Sequence, residues 1–144
     1  MQSKTKVDKH SILLPQTLLH QNTTTTATIF ITDWELTQTG PRALDLGRMI
    51  AELYMTQLYK GIPAGTWILR AFVDAYRPAL TDEMAFRAAI HAGVHLVAFG
   101  SVVAGWGDEE QVLGVVAVGR DLVVKGWERE KGWFLGGVLG CLFV

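Results

Sequence analysis

The sequence predicts a mainly helical α+β chain, one β-hairpin followed by about four helices. Three observations predict it. Short β-branched or apolar runs stand near the start, at Ile12-Leu13-Leu14 and at residues 27–32. From Pro41 onward the apolar residues recur at helical spacing. Breakers at Gly61-Ile62-Pro63, Pro78 and Gly105-Trp106-Gly107 then cut that helical stretch into segments.

Taken in order, residues 1–10 are polar, without the apolar centre of a secretory signal, and are expected to be disordered. Residues 11–35 form the expected hairpin. Its first strand closes at Pro15, a threonine-rich loop spans 21–26, and the second strand covers 27–32. Two strands do not make a stable sheet alone, so the hairpin must lie on helices or continue a sheet supplied elsewhere. Residues 41–130 form the helical region. Pro41 suits a first helical position, and Leu44, Met49, Ile50, Leu53 and Leu58 follow at helical spacing. A second helix is expected over 64–76, carrying Trp67, Ile68, Ala71 and Phe72 and ended by Pro78. Thr81-Asp82-Glu83 reads as an N-cap with an acidic first turn, opening a third helix to about Val103. Asp108 starts the fourth, with Val112, Val115, Val116, Leu122 and Val123 on one side and Arg120, Lys125, Glu128 and Arg129 on the other. An apolar tail, 131–144, completes what is expected to be a single, partial domain.

At 144 residues the chain has room for one ordinary domain. Net charge is −1, which argues against a nucleic-acid or anionic-membrane partner. Apolar residues make up 49% and mean hydropathy is +0.23, so apolar surface left for a protein partner or for self-association is expected. Cys141 is the one cysteine, which excludes an internal disulfide and favours a reduced, cytoplasmic setting. The Asn22-Thr23-Thr24 sequon carries little weight without a signal segment. The apolar stretch 90–106 and the tail are both too short to span a membrane, and core or partner burial is expected for each.

The most informative segment is IFITDWELTQTGPRALDLG, residues 29–47. A strand ending in Asp33-Trp34-Glu35 presents carboxylates at a sheet end, where Mg²⁺ or a phosphate can reach them. On spacing alone, the favoured reading of Asp33 is a cap of the turn before Gly40.

The run ITDWELTQTGPRALDLGRMIAELY resembles the aminoglycoside phosphotransferase and choline-kinase-like family, which shares the protein-kinase fold. Ile31, Asp33, Trp34, Glu35, Gly40, Pro41, Asp45, Leu46 and Gly47 fit the order and spacing of its metal-site motif. Weaker likeness continues through AFRAAIHAGVHL and VGRDLVVKGWEREKGWF. The resemblance implies the C-terminal lobe of such an enzyme, ATP and Mg²⁺ as cofactors, and a small-molecule hydroxyl as acceptor. It makes Asp33 the magnesium ligand and Asp45 the residue that steadies the catalytic loop. Arg42 stands close enough in sequence to support the site, and Glu35 to touch substrate.

The departures are informative. The family's H-G-D-x-x-x-x-N loop precedes a short apolar strand. If Ile12-Leu13-Leu14 is that strand, Ser11 replaces the asparagine as a weak metal ligand, Lys6 replaces the catalytic aspartate and Lys4 the histidine. A lysine repels a divalent cation and is no base at neutral pH unless strongly desolvated. No glycine-rich loop or strand lysine of a nucleotide lobe is present in the sequence. The expectation is a truncated or degenerate phosphotransferase, inactive as this chain alone, with no catalytic residue of its own. The alternative is a non-catalytic helical interaction module.

Other constellations have simpler readings. His91 and His95, four apart, could hold zinc, but no third ligand is evident and hydrogen-bonded, partly buried histidines are expected. His10 and His20 read as loop residues, and Ser11 and Ser101 lack the turn of an activated nucleophile. Trp34, Trp67, Trp106, Trp127 and Trp133 are expected to pack in the core rather than cage a ligand. Glu109-Glu110 reads as a helix N-terminus meeting its dipole.

Overall fold

A computed structural model describes residues 39–143. The chain divides into two units, Met1–Thr39 and Gly40–Val144, and the described fold is that of the second. The expected hairpin, with Ser11, Asp33 and Glu35, lies outside the described residues.

Every regular element described is helical. Helix α1 spans Arg42–Lys60, α2 Ala64–Tyr76, α3 Asp82–His95, α4 Glu109–Trp127 and α5 Lys131–Leu135. A 3₁₀ turn, Arg77–Ala79, follows α2; a π-helical turn, Leu96–Gly100, follows α3; and a 3₁₀ segment, Val138–Phe143, follows α5. The mainly helical reading is borne out, as are the bounds of α1, α2 and the start of α4.

Local chemistry explains those bounds. Gly61 ends α1 at φ 61°, the left-handed conformation that costs glycine least. Its amide donates to the Gln57 carbonyl at 2.9 Å, and the Ile62 amide to that of Thr56 at 3.3 Å. Thr81 caps α3, its hydroxyl accepting from the Met84 amide at 3.2 Å. Asp108 and Gln111 form a reciprocal capping box at the start of α4: the Gln111 amide donates to Asp108 Oδ1 at 2.9 Å, and the Asp108 amide to Gln111 Oε1 at 3.1 Å. Each such cap contributes about 1 kcal/mol.

Packing follows the small residues. Helices α1 and α3 run side by side, parallel, and meet at Gly47, where a Cβ would lie 2.6 Å from the Ala88 carbonyl oxygen. Helices α3 and α4 run antiparallel and meet at Gly93 and Gly119; a Cβ on Gly93 would lie 2.5 Å from the Gly119 carbonyl oxygen. Leu46, Ile50, Met55, Leu69, Val73, Leu96 and Val115 fill the space between. The apolar tail folds back into this core. Phe134, Leu139, Leu142 and Phe143 are buried, with the Phe143 ring 4.7 Å from Phe86 and 5.0 Å from Phe134. Of the two fates expected for the tail, the structure shows the core.

Three expectations are corrected. The third α-helix stops at His95 rather than near Val103, because the chain widens into the π turn. That turn brings Gly100 against Met55 and Val115, and lets the buried Tyr59 hydroxyl donate to the Gly100 carbonyl. Burial of the stretch 90–106 is partial: Ala92, Gly93, Leu96 and Gly100 are buried, but Val94, Phe99 and Val102 are exposed. The four described tryptophans do not form the core, and Trp34 lies outside the described residues. Trp67, Trp127 and Trp133 are 63%, 81% and 45% exposed, and Trp106 is half-buried, edge-on to Tyr59 at 5.8 Å. Helix α2 buries Gly65, Leu69 and Val73, and α4 buries Val115, Gly119, Leu122 and Gly126. Indoles are too bulky for such close crossings and stand at the rim. Among the described residues no helix is long and apolar enough to cross a membrane.

Candidate functional site

The part of the sequence motif that is described is the start of α1. Pro41, at φ −64°, delivers the chain into the helix without a side-chain cap. Arg42 and Asp45 are exposed, and Asp45 lies in the first turn. A carboxylate there meets the partial positive charge of the unpaired amides. The next residue, Leu46, is fully buried, and Gly47 presses on α3, so the DLG triplet passes from solvent into the core. That anchors the exposed Asp45 on a rigid element. Asp33, Glu35 and Ser11 lie outside the described residues.

A polar stripe continues from Asp45. Arg48 and Glu52 follow at intervals of three and four, which places all three on one side of α1. Glu52 Oε1 lies 2.7 Å from His95 Nε2, joining α1 to the end of α3. The His95 ring stacks on Phe99 at 4.9 Å. His91 stands one turn earlier, its Cβ pressed against the Gly47 backbone. His95 is thus the partly buried, hydrogen-bonded histidine the sequence suggested. Among the described residues no group of three or more His, Cys, Asp or Glu is placed to hold a metal ion. Sequence reasoning missed Glu52; its spacing from Asp45 places it on the same side of α1 but gives no sign of its pairing with His95.

Other charged groups belong to the surface. Glu83 lies within 2.6 Å of Arg129 and 2.8 Å of Arg87, and hydrogen bonds from these two, Arg129 first, hold its carboxyl below the usual range. The side chain of Lys125 bonds Glu128 at 2.8 Å, which raises the ammonium. Burial pushes the Cys141 thiol up, the reverse of what a reactive cysteine needs.

Away from Asp45, α1 and α2 border an open groove of about 650 Å³, lined by Tyr54, Gln57, Thr66, Trp67 and Arg70 among others. A second hollow, about 320 Å³, lies beside the C-terminal half of α2 and also touches Arg70. There Arg77 donates to Asp74 Oδ1 at 2.8 Å and to the Cys141 carbonyl at 2.7 Å.

No protein-family profile matches the chain, and no solved structure matches it. Curated proteins do. Phosphotransferase FrzJ of Cladobotryum sp is 29% identical over 113 residues, 78% of this chain and 29% of that protein. A 4-hydroxytryptamine kinase of Psilocybe cubensis is 30% identical over 93 residues, 63% of this chain and 25% of the kinase. Its counterpart in Psilocybe cyanescens is 26% identical over 92 residues. The chain spans 29% and 25% of the length of the first two relatives. The likeness carried by the segment from Asp33 to Gly47 is therefore borne out: the chain is related to kinase-like phosphotransferases.

Proposed function

We propose that the chain is the helical, C-lobe part of a phosphotransferase that moves the γ-phosphoryl of ATP to a small-molecule hydroxyl. The observation that supports this best is the start of α1. It opens directly after Gly40-Pro41 and exposes Asp45 in its first turn, as the family motif requires. Asp45, with Arg42 beside it, steadies the loop that meets the substrate. The donors the sequence offers a metal, Asp33 with Ser11 as a weaker partner, are oxygens, the chemistry Mg²⁺ takes. Bound there, Mg²⁺ would supply charge neutralisation of the phosphates. Glu35, two residues beyond Asp33 in sequence, is the side chain proposed to touch the acceptor.

As a chain on its own it does not turn over. Lys4 and Lys6 stand where the family carries the loop histidine and the catalytic aspartate, and neither can orient a hydroxyl beside a divalent cation. Steady-state ATP consumption with Mg²⁺ tests this, with 4-hydroxytryptamine as the first acceptor, since two relatives are named for it. The expected result is no turnover above that of Asp33→Ala. Robust Mg²⁺-dependent turnover that Asp33→Ala abolishes would show an active enzyme instead.

A second reading, a non-catalytic helical interaction module, draws on the apolar surface. Val102 is 70% and Trp127 81% exposed, on a bundle that already has a closed core. Size-exclusion chromatography separates the readings: self-association or apolar-dye binding supports a module, and a clean monomer that binds no dye counts against it.

A further inference from the structure

The groove between α1 and α2 brings a ring and a positive charge to one opening. Trp67 and Arg70 are three apart on α2, so both side chains leave the helix on the same side. Trp67 is 63% exposed, which leaves its ring open to stacking from the groove. Arg70 is exposed and makes no ion pair among the described residues. On the facing helix Tyr54 supplies a second ring, half-buried, and Gln57 a hydrogen-bonding group; Thr66 of α2 supplies another at the wall.

We propose that this groove binds a planar aromatic compound bearing an acidic group, its ring against Trp67 and Tyr54 and its carboxylate or phosphate on Arg70. The guanidinium forms paired hydrogen bonds with either acid, so the shared chemistry is an oxyanion that presents two oxygens to one guanidinium. Burial raises the Tyr54 phenol, which keeps its proton at neutral pH and remains a donor toward that anion. The groove lies about 13 Å along α1 from Asp45, nine residues at about 1.5 Å each, and so does not depend on the phosphoryl-transfer reading.

Two probes with one ring and opposite charge test it: indole-3-acetate and tryptamine, titrated into the full-length protein with the Trp67 indole N–H resonance as readout. Saturable indole-3-acetate binding is expected, with Kd on the order of 1 mM, as suits a small ligand in an open groove. Tryptamine is expected to bind at least about tenfold more weakly. Arg70→Gln should erase that preference, and Trp67→Ala, followed by ligand-detected signals, should remove saturable binding of both. Both side chains are exposed, so the variants keep the core. Phenyl phosphate in place of indole-3-acetate reports which acid binds tighter, and the lack of saturable binding by both acids overturns the proposal. So does tryptamine binding as tightly as indole-3-acetate, a preference that survives Arg70→Gln, or a Trp67 resonance that does not move.

Discussion

Phe134→Ala is expected to lower the stability of the helical unit by about 3–5 kcal/mol. Phe134 is 1% exposed and is the largest fully buried side chain among the described residues. Its ring lies 6.1 Å from Phe86, near edge-on, and 5.0 Å from Phe143. Removing it loses the transfer energy of the ring and leaves a cavity that two neighbouring rings are too rigid to fill. The loss also frees the segment from Lys131 to Phe143, whose burial depends on this anchor. Urea unfolding followed by far-UV circular dichroism measures it. Leu135→Ala serves as the reference, since Leu135 is 51% exposed and its loss should stay within about 0.5 kcal/mol. Comparable small effects for both substitutions would mean that the tail does not pack in the core.

Gly93→Ala is expected to destabilise by about 2 kcal/mol, although alanine is the better helix former by about 1 kcal/mol. The new methyl would stand 2.5 Å from the Gly119 carbonyl oxygen and 2.8 Å from Val123 Cγ2. The first of these is backbone and cannot swing aside, so α3 and α4 must move apart along their whole contact. Gly114→Ala makes the opposite test in α4 itself, because nothing lies within 4 Å of the added methyl. It should stabilise by about 0.5–1 kcal/mol through propensity alone. Thermal unfolding of both variants reads the difference. Matching shifts in the same direction would refute the close crossing.

Much of this fold was legible because breakers act locally. Gly61, Pro78 and the Asp108–Gln111 box each stop or start a helix through bonds within a few residues, so sequence alone located them. Which face each helix buries depends on its neighbours. Trp67 and Leu69 are equally apolar to a pattern, yet only the leucine fits where α2 meets α1. The end of α3 was misjudged for the same reason: the π turn serves Tyr59, which is distant in sequence and adjacent in space. Of the candidate site, Asp45 and Arg42 were legible through the motif and are exposed at the helix start. Glu52 was not, because its partner His95 is set by tertiary packing.

The widened turn from Leu96 to Gly100 also sets a phase. One surplus residue in a helix rotates all that follows by about 100° relative to an uninterrupted spiral. The loop from Ser101 to Gly107 therefore departs at an azimuth that an ordinary continuation of α3 would not give it, and α4 inherits that heading. A related chain carrying one residue fewer at this point would steer its next helix around a different quadrant of the bundle, however alike the two sequences look in alignment.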